Sequence, residues 1–268
     1  GYEAERLVYG ERPEMLLCGS SEDITTCWDE FSAEAYKGGY FGDPYSYSYR
    51  DAESSSDGIV QGFDDHEIAQ KMKTEFEWER KLNICTIDRD DTKEDANHYP
   101  YEPTPYVVLE RLVESGYVEH ENSVVDYGCG KGRVGFFLNH QLGCKVLGID
   151  FDERMCALAQ ENRSTYGIDK DVTFACISAE KYEISDADCF YFFNPFSVAV
   201  LQSVIGKIRK SYYENPREMK LFFYYPSDEY VSYLMTVSEL CFVDEIDCQD
   251  LFEGKNEREK ILIFEMEF

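Results

Sequence analysis

Apolar residues along this chain recur at two spacings, and the alternation between them predicts its elements. Between residues 64 and 83, Ile68, Met72 and Phe76 follow at four-residue steps, with Trp78 beside Glu79. That spacing predicts a helix, with Asp64 and Asp65 available to cap its start. Tyr106 to Ser115 predicts a second amphipathic helix, stopped by Gly116. From Ser123 onward, short apolar runs alternate with helical stretches. Strands are expected at 123–127, 145–150, 172–177, 188–193, 219–225, 242–246 and 260–265, and helices at 134–140, 152–166, 196–210 and 227–235. Strands separated by helices imply right-handed βαβ units and a parallel sheet. The last two strands have only the turn around Gly254-Lys255-Asn256 between them, so they should pair antiparallel. The expected fold is α/β: a doubly wound, mostly parallel seven-stranded sheet with an antiparallel last strand, preceded by an N-terminal extension.

The extension changes the picture at the front of the chain. Residues 1–62 are acidic, rich in Tyr, Ser and Gly, and poorly periodic; Lys37 to Tyr45 is turn chemistry and Asp51 to Gly58 a polar linker. This part reads as a partly ordered appendage, 63–98 as a linker helix and an approach to a lid, and 99–268 as the main domain. Charge narrows the partners. With 54 acids against 26 bases the chain carries −28, which disfavours phosphate backbones and anionic lipid surfaces. Neither a nucleic-acid nor a membrane partner is expected. Ten cysteines form no C-x-x-C pair, and the four histidines are not spaced with them as zinc ligands. Cys129, Cys144, Cys156, Cys176, Cys189 and Cys241 lie in apolar or Gly-rich runs and read as buried free thiols, pointing to a reducing cytoplasm. No metal site is expected, no run reaches a membrane span, and the acidic first twenty residues do not resemble a signal peptide.

Candidate chemistry concentrates in Val124-Val125-Asp126-Tyr127-Gly128-Cys129-Gly130-Lys131-Gly132-Arg133. A buried strand ends in an acid, glycines alternate at 128, 130 and 132, and a helix follows. Such glycines permit positive φ and leave room for a ligand to approach the backbone, and ligands of open α/β sheets lie beyond the carboxyl ends of the strands. The sequence here resembles the class I S-adenosylmethionine-dependent methyltransferases, over roughly 99–268 and including the antiparallel finish. The resemblance implies S-adenosyl-L-methionine as cofactor. Asp126 with the loop at Gly128, Gly130 and Gly132 would hold its methionine end. Asp150 would accept from the ribose hydroxyls, Phe151 would pack on the adenine, and Ser178-Ala179-Glu180 would flank the adenine edge, with Ser178 where the family more often has Asp. The competing reading is a nicotinamide enzyme: Gly130-x-Gly132-x-x-Gly135 matches G-x-G-x-x-G, with Asp150 about 20 residues on.

Two further segments carry candidate roles. Phe192-Phe193-Asn194-Pro195-Phe196 resembles, with one proline missing, the N-P-P-Y/F of amino-directed methyltransferases. By that resemblance Asn194 would touch both cofactor and acceptor. Tyr99 to Tyr106 carries three prolines that stiffen an extended segment. It is similar to lids of some protein-lysine methyltransferases, which makes Tyr101 and Thr104 candidates for cofactor contact and Tyr101, with Asn194, a candidate catalytic residue. The expected activity is methyl transfer to a protein or small-molecule amine. The alternatives are a cofactor-binding scaffold whose acidic extension mediates protein contacts, and an NAD-dependent oxidoreductase. Acceptor, nitrogen or oxygen chemistry and oligomeric state stay open.

Overall fold

The computed structural model describes residues 65–87, 101–167 and 170–267. The chain divides into two units, Gly1–Phe76 and Glu77–Phe268. Of the first, only a stretch of helix is described; the extension at 1–62, the Asp64 cap and Tyr99-Pro100 lie outside the described residues. Element order is α1 (Asp65–Leu82), α2 (Tyr106–Glu114), β1 (Ser123–Tyr127), α3 (Arg133–Leu142), β2 (Lys145–Asp150), α4 (Glu153–Tyr166), β3 (Val172–Cys176), β4 (Cys189–Phe192), α5 (Val198–Glu214), β5 (Lys220–Tyr224), α6 (Asp228–Leu234), β6 (Leu240–Asp247), a 3-10 turn at Gln249–Leu251, and β7 (Lys260–Met266).

The seven strands form one sheet in the order β3-β2-β1-β4-β5-β7-β6. β1 pairs in parallel with β2 and β4, and β7 runs antiparallel to both β5 and β6. Alternation along the strands sorts residues between two faces. Val125, Tyr127, Ile149, Phe190, Phe192, Phe223 and Phe264 join Leu201, Val204 and Ile208 of α5 and Tyr230 and Leu234 of α6 in one buried cluster. Flat stacks of Tyr127 on Phe192 (ring centroids 5.0 Å apart) and Phe192 on Phe223 (4.7 Å) run across its strands. The opposite parity carries Asp126, Gly148, Asp150 and Tyr191, with Asp126 in register between Gly148 and Tyr191. The chain therefore aims its strand-end acids away from the α5–α6 core.

Most predicted bounds agree with the structure to within a residue or two, for visible reasons. Asp152 caps α4 by accepting from Arg154 N, Ser227 caps α6 by accepting from Tyr230 N, and Gly143 and Gly167 close α3 and α4. Some bounds need correcting. α5 begins at Val198 and runs to Glu214, because Ser197 is its extended N-cap residue. β6 is eight residues long and carries a bulge between Phe242 and Asp244. Two of the six expected buried thiols are exposed, Cys176 and Cys241. They lie on β3 and β6, the two edges of the sheet, where a strand lacks a neighbour on one side.

Candidate functional site

The carboxyl ends of β1, β2 and β4 open into a cleft beside the loops that follow them. Asp126, Gly128, Asp150, Phe151, Ser178, Ala179, Tyr101, Thr104 and Asn194 all line it. Gly130 and Gly132 do not. The loop between β1 and α3 hooks back onto β2: Gly128 N and Cys129 N both donate to Ile149 O, at 2.8 and 3.0 Å. Gly130 N donates to Asp150 Oδ2 and Asp152 N to Asp150 Oδ1, each at 2.9 Å. The Asp150 carboxylate is thus aimed by backbone amides on both of its oxygens, which retain lone pairs for a ligand hydroxyl.

The glycines of the loop take the positive φ expected of them, and their missing side chains also make room for this chain's own residues. Gly128 and Gly130 have φ of 75° and 52°, but the space a Cβ would fill is taken by this chain's own side chains. A Cβ on Gly128 would lie 2.3 Å from Pro195 Cβ, and one on Gly130 would lie 2.1 Å from Tyr101 Cε2. Gly132 has φ of 90° and meets Phe174 and Phe136 in the same way, at 2.5 and 2.9 Å. The three sequence motifs therefore meet at one loop, with Pro195 on one glycine and the lid Tyr101 on the next.

Electrostatics distinguish the two acids. Asp126 is buried, its carboxyl pushed up to about 8 first by burial and then by the charge of Asp150. Asp150 is also raised by burial, but the amides of Asp152 and Gly130 oppose that shift. A cation entering the cleft would favour the charged carboxylate of Asp126 and so oppose this rise. The donor set fits S-adenosylmethionine: a buried acid for a positive ammonium or sulfonium, an amide-aimed acid for hydroxyls, and exposed Phe151 for a flat ring.

Asn194, two residues beyond β4, has φ of 40°. Its side-chain amide is already engaged, Nδ2 donating to Tyr225 O and Oδ1 accepting from Ser227 N at 3.2 Å. Tyr225 shares the left-handed backbone, with φ of 50°. The Arg258 guanidinium stacks on its ring at 4.4 Å, and Asn256 Nδ2 donates to its hydroxyl. Tyr101 turns its hydroxyl to Thr86 O, 2.8 Å away, and so meets the cleft with its ring. Thr104 Oγ1 pairs with the Tyr191 hydroxyl at 3.0 Å.

Glu79, Thr86 and Arg133 were absent from the sequence-based set. The signal for Glu79 was legible: it falls three residues after Phe76 and three before Leu82, an acid on an apolar stripe. Thr86 has no such signal, since only the folded chain brings it to Glu79. Among the described residues no group of three or more His, Cys, Asp or Glu side chains is placed to hold a metal, and no helix is long and apolar enough to cross a membrane.

Residues 124–211 match the model of a family described as a methyltransferase domain. A protein-lysine N-methyltransferase of Saccharolobus islandicus (strain REY15A) is 31% identical over 72 residues, which is 26% of this chain and 45% of that protein; the chain spans less than half of that curated relative. Among solved structures, the Pyrococcus abyssi tRNA (uracil-54, C5)-methyltransferase in complex with S-adenosyl-L-homocysteine is 17% identical, covers 62% of this chain and 39% of its own, and has a TM-score of 0.47. An RNA methyltransferase from Salinibacter ruber with S-adenosyl-L-homocysteine is 21% identical over 61% of this chain and 92% of its own, with a TM-score of 0.40. The matched methyltransferase domain at 124–211 runs from β1 into α5 and so contains the acid-and-glycine loop and both strand-end acids of the cleft.

Proposed function

We propose that the protein transfers the methyl group of S-adenosylmethionine to an amine nitrogen, and that the amine is a lysine side chain of a protein. The observation that carries this reading is the make-up of one cleft. Two buried acids at the ends of β1 and β2 lie in it with an aromatic wall of Tyr101, Tyr191, Phe193 and Phe196. Aromatic faces attract ammonium groups and exclude water from them. Glu102 and Glu180 line the same cleft, and a net charge of −28 suits a basic acceptor better than a polyanion. The similarity to a protein-lysine N-methyltransferase over 72 residues points the same way.

The cofactor supplies an electrophilic methyl group on a sulfonium that leaves readily. What the chain has to do is hold and orient, which can contribute about 7–11 kcal/mol to lowering a barrier. Asp126 offers charge to the cationic end. Asp150, aimed by Gly130 N and Asp152 N, offers acceptors to the ribose. Asn194 and Pro195, at the end of β4, shape the acceptor side, and the Tyr101 ring closes the cleft over Gly130 against water.

A second reading has its own support. The Asn194 amide is committed to Tyr225 and Ser227, which leaves it one acceptor lone pair for a substrate amine and suits a cofactor-binding scaffold. Cell extract incubated with methyl-labelled S-adenosylmethionine separates the two. Label on protein lysine supports the proposal. S-adenosylhomocysteine binding without any transfer supports the scaffold, and label on nucleic acid or on oxygen overturns the amine assignment.

A further inference from the structure

We propose that Glu79 and Arg133 act together as positioning residues for the cofactor pocket, a buried charged hub that holds the lid over the glycine loop and so sets cofactor affinity. This rests on the cofactor reading above. The two charges lie 3.5 Å apart, with side chains 6% and 3% exposed. Glu79 accepts from Thr86 N, Thr86 Oγ1 and the Tyr106 hydroxyl. Arg133 donates from Nε to Thr86 Oγ1 at 2.7 Å and from Nη1 to Thr104 O at 3.1 Å, and stacks 4.3 Å over the Tyr106 ring. Thr86 in turn accepts the Tyr101 hydroxyl on its carbonyl. Asn162 ties the same region down from α4, donating to Cys85 O and Lys131 O and accepting from Cys85 N.

Two features separate this from ordinary core packing. First, well-packed apolar residues generally do at least as well for stability as a buried ion pair, so the charges call for a use beyond cohesion. Second, their partners fall where secondary structure does not reach. Thr86 and Thr104 lie in segments with neither helix nor strand, so no ladder fixes their main chain. The hub supplies the missing bonds, and the segment it fixes carries Tyr101, whose ring covers Gly130, and Thr104, which reaches Tyr191. Arg133 is itself the first residue of α3, directly after the loop. Lid and loop are thereby held by one guanidinium.

The test uses the full chain. Glu79→Gln keeps the shape and removes the charge. It should weaken S-adenosylhomocysteine binding by calorimetry roughly tenfold, within the range of coupled neighbours. In the ligand-free protein it should speed amide exchange at residues 101–106 while leaving 124–127 and 189–192 at parental rates. Arg133→Lys should fall in the same direction, and the double variant should be no weaker than the worse single. Tyr106→Phe, which deletes one donor to Glu79, carries the same exchange test if Glu79→Gln fails to fold. Parental exchange at 101–106, or equal acceleration across the sheet, overturns the positioning role, because a merely cohesive pair would loosen everything alike. A parent protein that does not bind S-adenosylhomocysteine overturns the cofactor reading instead; the hub then stands or falls on the exchange result.

Discussion

At the scale of single residues the cleft runs on acids that the fold makes uncomfortable. Burial and the charge of Asp150 push the Asp126 carboxyl up to about 8, from 3.8 for an ordinary Asp. Between those values the folded chain holds a proton that the unfolded chain has released, so this group makes stability fall as pH rises through the window. Asp126→Asn should flatten that fall in chemical denaturation across about pH 4 to 8. A residual slope of the same sign remains from Glu79, Asp150 and Glu259, all raised by burial. Binding of a cationic cofactor favours the carboxylate, so affinity should climb with pH toward 8, with release of up to about one proton that the variant lacks. Calorimetry in buffers of different ionisation enthalpy measures it. Asp150→Ala should weaken cofactor binding by about 1.5–3 kcal/mol, the worth of a charge-assisted bond. At the acceptor side, Asn194→Ala should lower turnover more than cofactor affinity, as expected for a contact made mainly in the transition state. Tyr101→Phe should do the reverse, because its hydroxyl anchors the lid on Thr86 O. An extract-based transfer assay beside calorimetry checks the pair.

Among the elements, the loop between β1 and α3 is the meeting point, and its glycines are required by neighbours that lie far away in sequence. Gly130→Ala would drive a methyl into the Tyr101 ring and strain a positive φ. The expected result is a lid displaced from the loop, seen as faster exchange at 101–106, and a loss of about 1–3 kcal/mol in stability, as for overpacking. Gly128→Ala meets Pro195 instead and should disturb the β4 end, leaving the lid in place. Thermal melts and exchange maps of the two variants distinguish these outcomes. The helices and strands were legible in the sequence because period and stop signals are local properties: Gly116 marks the end of α2 without reference to anything distant. The contacts of the loop were not, because Pro195 and Tyr101 arrive from β4 and from the lid.

For the whole molecule, the sheet and every candidate site residue lie in the unit Glu77–Phe268. Deleting residues 1–62 should leave a cooperatively melting protein that binds S-adenosylhomocysteine; a truncation that is insoluble or cofactor-blind would show that the extension completes the core or the pocket. The unit itself is anchored near its start by Trp78, which stacks on Tyr106, meets Phe137 edge-on at 4.8 Å and donates to Glu110. Sequence alone determined the alternation of strands and helices, the antiparallel finish and the acid-and-glycine loop, since each follows from spacing within a few residues. It also marked Asp126, Asp150, Asn194, Tyr101 and Thr104, which the fold gathers into one cleft. Tertiary structure alone decided which atoms face that cleft. It turned the Tyr101 hydroxyl and the Asn194 amide onto backbone, set Phe174 and Phe136 against Gly132, exposed two thiols on the sheet edges, and joined Glu79 to Arg133 across 54 positions of chain. Burial, register and the pairing of distant polar groups depend on the finished sheet, and no spacing along the chain records them.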